Sequence, residues 1–307
     1  MSNWKPFAAL ASLCVIWGTT YLAIRIGMQE HFPPFLYSGI RFMIAGGVML
    51  LWFILRGKKI EVTKRDLKRL LVSGMFIFPG GNLFLVLAEQ SIDSGIAALF
   101  NSAFPLWILV ITRIWNPDEK TPTLAFTGII VGFLGQFLIF YDNLFMEGSN
   151  LFQVGLIFLI GGVINGSLGS VHMKKYPVSL SPVITAGLQM FLCGSITALV
   201  GLAKGEWTHL PKAMPGWWSM LYLIIVGSII GYTLFVYAMR YLPAQQVSIY
   251  AYVNPIVAVF LGWLFLSEQI STKSLIAMCI TIFGVYLVNR GMQRHRLKEK
   301  AALNNIE

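Results

Sequence analysis

The protein has 307 residues, of which 56% are hydrophobic and 12% are charged, and its formal net charge is +10. This balance excludes a soluble globular domain and indicates an integral membrane protein. The positive charge calls for no nucleic-acid partner, because most Lys and Arg side chains fall in short segments between long apolar stretches.

Ten apolar stretches follow one another along the chain, each of roughly the 20 residues that a helix needs to cross the hydrocarbon core. The sequence therefore predicts an all-α protein with ten transmembrane helices joined by short loops. We place the spans at 8–28, 35–55, 69–88, 94–114, 123–141, 152–172, 181–203, 217–238, 244–266 and 273–290.

The Lys and Arg residues separate between the two sides of the membrane. With the N-terminus inside, eighteen lie in cytoplasmic segments, two lie within spans, and three lie outside at Lys204, Lys212 and Lys273. The excess of positive charge on one side predicts that both termini face the cytoplasm. The basic runs 56–69 and 290–300 also suit contact with anionic lipid headgroups.

Prolines and acidic residues recur at about half the length of the chain. A shift of 150 aligns Pro255 with Pro105 and brings Glu268 to Asp118, with Glu119 beside it. Because five spans separate the equivalent positions, the second copy must cross the membrane upside down, as in many secondary transporters. We predict a first five-helix repeat at 1–142, a second at 151–291, and a basic cytoplasmic tail at 292–307.

The order of these motifs resembles the EamA-type transporters of the drug/metabolite transporter superfamily. The resemblance is carried by Trp17-Gly18, Arg41 within GIRFMIA, Pro105 and Pro255, and Glu119 and Glu268 followed by helices containing Gly135 and Gly284. It implies two inverted repeats around a central cavity lined by helices one to four and six to nine. Three departures from the family pattern mean that the substrate cannot be inferred from the resemblance. They are Leu-Ser-Glu instead of Leu-Gly-Glu at 266–268, Asn165-Gly166 instead of a second Trp-Gly, and Gln189 at the position where the second repeat would carry the equivalent of Arg41.

Several polar and aromatic residues lie inside the predicted spans, where side chains of these types either join helices or line a wet pathway. As candidates for the substrate cavity we select Trp17, Arg41, Asn82, Asn101, Asn165, Gln189, Tyr232, Gln246, Tyr250 and Asn254. Pro105 and Pro255 are expected to bend their helices, which either shapes or gates the cavity or serves packing alone.

Charged residues near the spans leave alternatives open. Arg41 suits a solute carboxylate or phosphate, or else an ion pair with Glu89 and Asp93. Arg25 is expected to snorkel to the outer surface. Glu89, Glu119 and Glu268 are interpreted as structural acids, the last two as N-terminal partners of the helices that follow them, with proton coupling as the alternative.

Neither the cysteines nor the histidines form a catalytic or metal-binding pattern. Cys14, Cys193 and Cys279 are isolated, and His31, His172, His209 and His295 are scattered near span ends. We therefore expect no enzyme, no cofactor and no metal.

The sequence favours a secondary transporter in the inner or plasma membrane that moves small metabolites, with export as the expected direction. The family resemblance makes amino acids the leading substrate class. Efflux of amphipathic drugs is the alternative, and a channel or lipid scramblase is a weaker one. The sequence leaves monomer and homodimer open.

Overall fold

The computed structural model describes residues 4–57, 60–116, 122–144, 150–247, 250–269 and 271–304, and this part of the chain is helical without a strand. Ten long helices follow in chain order: α1 Lys5–Gln29, α2 Pro34–Leu55, α3 Lys64–Ala88, α4 Ser94–Trp115, α5 Thr123–Leu144, α6 Asn150–Lys175, α7 Pro182–Ala203, α8 Met214–Tyr241, α9 Tyr250–Leu266 and α10 Thr272–Asn304.

These helices confirm the ten predicted spans. Eight of them are long and apolar enough to cross a membrane over the described residues, and two shorter apolar stretches lie within α5 and α9. The tenth helix continues well past its predicted end at residue 290, through the basic tail to Asn304. The tail is therefore a helical extension of α10 on the cytoplasmic side.

Two helices contain a π-helical segment at corresponding places in the two halves. In α3 it covers Phe76–Leu83 and includes Pro79, and in α8 it covers Leu223–Ile230. Proline has no N–H for the regular helical bond, and a wider turn accommodates that loss in α3. Each segment lies in the middle of its helix, and residues of both segments reach the interior of the helix bundle.

Helix α4 is interrupted near its centre. Its first part ends at Asn101, Ser102 and Ala103 form a turn, and the second part begins at Phe104 with Pro105 in its first turn. A proline is well tolerated there, because the N–H it lacks would have no intrahelical partner. The corresponding Pro255 lies inside α9, so the two prolines have different local settings.

The packing of the helices has an approximate twofold pattern that relates each helix to the one five positions later. Helix α1 packs on α8 and α9, and its counterpart α6 packs on α3 and α4. The pairs α2–α7, α4–α9 and α5–α10 are each formed by two equivalent helices. This is the arrangement of two inverted five-helix repeats, and it leaves a space between the α1, α8, α9 group and the α3, α4, α6 group.

Glycines bring the paired helices into close contact. A Cβ added at Gly46 of α2 would lie 2.3 Å from the backbone nitrogen of Phe191 in α7, and one added at Gly194 would lie 2.5 Å from the backbone nitrogen of Met43. Gly284 of α10 approaches Gly132 of α5 equally closely. Close backbone approach through small residues is how helices associate in lipid, where apolar side chains gain little by leaving the hydrocarbon.

Replacing Gly46 with Ala is expected to destabilise the protein by about 1–3 kcal/mol, because neither backbone can move away without disturbing the whole α2–α7 contact. Gly47→Ala is the matched control, since a Cβ there meets only the Phe191 ring at 3.6 Å. The control should be neutral or stabilise by up to about 1 kcal/mol through reduced backbone entropy. Thermal unfolding in detergent measures both, and equal melting temperatures for the two variants would contradict the close α2–α7 packing.

Candidate substrate cavity

A cavity of about 130 Å³ lies between the two helix groups. Its wall is formed by side chains and backbone of α1, α2, α3, α4, α6, α8 and α9. Seven of the ten candidate residues reach it: Trp17, Arg41, Asn82, Asn101, Tyr232, Tyr250 and Asn254. Both repeats contribute to the wall, which places the cavity at the interface between them.

Three candidate residues are not in the cavity wall. Asn165 packs its side chain against Gly80 and donates to the carbonyl of Gly161 at 2.8 Å, while its neighbour Gly166 lines the cavity. Gln246 lies in the short helix Ala244–Val247 and is exposed. The structure therefore does not place these two residues in the cavity wall, because Asn165 is used in contacts between α6 and α3 and Gln246 is exposed outside the long helices.

Gln189 is the third, and it lies directly behind the wall. It is fully buried, donates to Ser73 Oγ at 2.7 Å and accepts from Tyr232 Oη at 2.8 Å. Gln189 thereby holds the tyrosine ring that lines the cavity. Within the described residues α7 adds no side chain to the wall, so the expectation that it would line the cavity is wrong.

Arg41 is buried in α2 with 3% of its surface exposed, and it borders the cavity. Its Nε donates to Ser228 Oγ of the α8 π-helical segment at 2.9 Å, and its guanidinium lies 4.6 Å from the centre of the Phe42 ring. Its Nη1 has no hydrogen-bond partner among the described residues. Arg41 is therefore a residue of the cavity wall whose guanidinium is hydrogen-bonded through Nε and keeps a buried, unpartnered donor at Nη1.

The alternative ion pair between Arg41 and the acids Glu89 and Asp93 is not formed. Asp93 instead pairs with Arg25 at 3.0 Å, and Arg25 Nη1 donates to the backbone carbonyl of Glu89 at 2.6 Å. The side chain of Arg25 is 16% exposed and ends at Asp93, whose side chain is 41% exposed. Arg25 ties the end of α1 to the loop between α3 and α4.

Aromatic rings form one side of the cavity. The ring of Trp17 lies 4.9 Å from Tyr250 in an edge-on arrangement and 5.0 Å from Phe235. Its Nε1 donates to the carbonyl of Gly227 at 3.2 Å, in the π-helical segment of α8. Trp17 thus presents a ring face to the interior and also satisfies an irregular backbone group.

The three asparagines of the cavity wall differ in their hydrogen-bond partners. Asn254, with its amide oriented so that Nδ2 donates, binds the carbonyls of Tyr250 and of Cys14 in α1, each at 2.9 Å. Asn101 Nδ2 donates to the carbonyl of Ala97 at 3.1 Å, at the end of the first part of α4. The buried Oδ1 of Asn82 has no partner among the described residues. Asn82 is thus a residue of the cavity wall that carries an unpartnered acceptor.

Glu268 joins the two repeats at the outer side of the membrane. Its carboxylate accepts from Ser94 Oγ at 2.8 Å and from the backbone nitrogens of Ser94 and Gly95 at 3.0 and 3.2 Å. Glu268 therefore caps α4 rather than the helix that follows it, whose start is capped by Ser271. Glu119 lies outside the described residues.

The π-helical segments were not predicted, yet both border the cavity, with Phe78, Gly81 and Asn82 in α3 and Gly227 in α8. Pro79 inside an apolar span was the one available signal in the sequence. Thr20, Tyr21 and Ser228 are further polar residues at or beside the wall that the selection of candidates missed.

A family model for the EamA-like transporter family matches residues 4–141 and 153–290 of this chain. The chain belongs to the EamA-like transporter family. It is therefore a membrane transporter and not an enzyme, and its two family matches correspond to the two halves related by the helix packing.

This EamA-like transporter is 31% identical over 287 residues to the uncharacterized inner membrane transporter YedA of Escherichia coli strain K12, covering 93% of this chain and 90% of that protein. It is 23% identical to the uncharacterized transporter YoaV of Bacillus subtilis strain 168, covering 92% and 96%. A solved crystal structure matches with a TM-score of 0.64 at 19% identity, over 93% of this chain and 96% of the other, which shows a shared fold alone.

One sequence departure of this EamA-like transporter now has a structural meaning. Ser267, the middle residue of the Leu-Ser-Glu departure, has a φ of 55°, in the left-handed region that favours glycine. Ser267 immediately precedes Glu268, so the strained residue is the one that turns the capping carboxylate toward α4.

Replacing Ser267 with Gly is expected to raise the free energy of unfolding by about 1 kcal/mol, because glycine adopts a positive φ without steric penalty. Ser195→Gly in α7 is the control, since its helical backbone gives glycine no such advantage, and it should lower stability by about 0.5 kcal/mol. Melting temperatures in detergent measure both. A lower melting temperature for Ser267→Gly would show that the left-handed turn is not formed.

Proposed function

We propose that this transporter moves a small solute with a carboxylate, with amino acids as the leading class, outward across the inner or plasma membrane by alternating access. The observation that carries the proposal is the free Nη1 of Arg41 beside the cavity. A buried donor without a partner is rare in proteins, and a charged one marks a place where an acceptor belongs. A solute carboxylate supplies that acceptor, and the planar guanidinium suits it.

A second unpartnered atom narrows the chemistry of the solute. Asn82 Oδ1 is a buried acceptor in the same cavity, contributed by α3 while Arg41 comes from α2. A zwitterion offers a carboxylate to the guanidinium and an ammonium group to the amide oxygen. Phosphates and simple organic anions match the first atom and leave the second unused. This pairing is why we favour amino acids over other anions.

The position of the cavity supports alternating access. It lies between the two inverted repeats, where a solute contacts α1 and α8 on one side and α3 and α6 on the other. In transporters with inverted repeats, rocking of one group of helices against the other opens such a site to each side in turn. The outward direction rests on the family resemblance.

Efflux of amphipathic compounds is the second candidate, and a different observation favours it. The aromatic residues Trp17, Phe42, Phe78, Phe104, Phe235 and Tyr250 all reach the cavity wall. Such walls bind flat apolar solutes without requiring a charged group. This alternative predicts that transport does not depend on the guanidinium geometry at position 41.

Counterflow in proteoliposomes tests the proposal. Vesicles are preloaded with a mixture of amino acids, and uptake of individual labelled amino acids and of an amphipathic dye is followed without an imposed gradient. We expect uptake of one group of amino acids, because binding by Arg41 and Asn82 requires both charged groups of the solute. Uptake of the dye alone would support the second candidate and overturn the first.

Arg41→Lys keeps the positive charge but removes the planar donor geometry, so uptake of the carboxylate solute is expected to fall at least about tenfold, equivalent to about 1.4 kcal/mol. Arg69→Lys is the control with the same chemical change, because Arg69 lies at the cytoplasmic end of α3 and donates to the carbonyl of Pro177. Both variants should elute as wild-type protein on gel filtration. Unchanged uptake by Arg41→Lys would remove Arg41 from the proposed site.

A further inference from the structure

Glu89 follows the last residue of α3 and is fully buried, with both carboxylate oxygens lacking a hydrogen-bond partner among the described residues. One turn earlier, Leu85 lines the central cavity. The next residue, Gln90, lines a separate pocket at the outer ends of α1 and α2, together with Arg25. Glu89 therefore lies between the cavity and the outer side of the membrane.

Charged and titratable groups face Glu89 from each element packed around it. They are Tyr21 and Arg25 of α1, Tyr37 and Arg41 of α2, Asp93 in the following loop, and Glu268 after α9. None of them is hydrogen-bonded to its carboxylate. Arg25 donates instead to the Glu89 carbonyl and to Asp93, and Glu268 is occupied by the start of α4.

An ionised carboxylate in this position would be buried without a donor, which is far less favourable than a buried neutral acid. The same region contains two buried donors without partners, Arg25 Nε and Arg41 Nη1. The three groups thus have complementary unmet hydrogen bonds but are arranged so that they do not satisfy one another. Addition or loss of one proton at Glu89 changes which of these pairings is favourable.

We propose that Glu89 is a proton-binding site of this transporter and that, when ionised, it competes with the solute carboxylate for the guanidinium of Arg41. The inference rests on the proposed function, because it takes the solute carboxylate as the partner of Arg41. Nε of Arg41 is hydrogen-bonded to Ser228, whereas Nη1 keeps an unpartnered donor for which the two carboxylates would compete. Glu89 thus acts on the solute through Arg41.

The sign of the coupling follows from the charges. A proton on Glu89 removes the competing anion, so the protonated protein binds the solute more tightly, and by linkage the bound solute favours the protonated state. Binding of the solute and binding of the proton at Glu89 therefore favour each other.

The first test measures the half-saturating solute concentration for counterflow between about pH 5 and pH 8, a range within reach of buried glutamates. In the wild type we expect it to rise about tenfold with pH, a typical coupling strength. Glu89→Gln mimics the protonated acid and should remain tight at every pH. Glu61→Gln makes the same chemical change at an exposed acid in the segment between α2 and α3, and this control should follow the wild type.

A pH dependence that survives in Glu89→Gln, or is absent from the wild type, would overturn the proposal. A second readout needs no solute: the infrared carbonyl stretch of a protonated carboxylic acid, followed while purified wild type and Glu89→Gln are titrated over the same range. A titrating band that is lost only in Glu89→Gln supports the proton site even if no amino acid is transported, in which case the proposed function alone fails. The absence of such a band would overturn the proton site.

Discussion

Backbone polar groups inside a bilayer have no water to bind, and the rest of this structure depends on how the chain meets that constraint. Regular helix satisfies it over most of the ten spans. The irregular places, namely the π-helical segments of α3 and α8, the break in α4 and Pro255 in α9, all lie in helices that border the cavity. Within the described residues, these irregular segments of the long helices thus belong to helices that reach the cavity, where polar groups can be used.

Side chains from the opposite repeat bond backbone groups at one of these places, at a regular part of α1 and at the start of α4. Trp17 of α1 binds the carbonyl of Gly227 in α8, and Asn254 of α9 binds the carbonyl of Cys14 in α1. Glu268 does the same for the first N–H groups of α4. These three side chains also connect the two repeats, which would move relative to one another during transport. Each such movement would therefore change the hydrogen bonds that stabilise the helices.

What remains unsatisfied has a consistent chemical character. Arg41 Nη1 and Asn82 Oδ1 are an unpartnered donor and acceptor at the cavity, and Glu89 adds two unpartnered acceptors just beyond it toward the outer side. Most other buried polar groups of the described residues are paired, including Gln189 with Tyr232 and Ser73. Among the described residues, unpartnered buried atoms also occur at Ser38, Gln136 and His172, whereas those of Arg41, Asn82 and Glu89 lie at or next to the cavity and motivate both proposals.

The sequence was sufficient to predict the spans, because hydrophobicity and length alone decide which segments cross a bilayer, and the recurring prolines and acids revealed the inverted halves. It was insufficient for side-chain direction. Gln189 occupies the position equivalent to Arg41 yet faces Ser73 and Tyr232, and the sequence did not identify Asp93 as the partner of Arg25. The partner of each side chain depends on which helix packs against it, and the sequence does not show this. The π-helical segments also rotate the residues that follow them, so these residues do not face the direction that regular helical spacing predicts.

The central claim is that one cavity between the repeats opens to each side in turn, and sided accessibility tests it most directly. Asn101 of the cavity wall is replaced by cysteine in a protein whose three native cysteines are alanine, and a membrane-impermeant thiol reagent is applied to right-side-out and to inside-out vesicles. Alternating access predicts labelling from both sides, slowed by a transported solute. Labelling from neither side, or from one side only whatever the solute, would contradict the account.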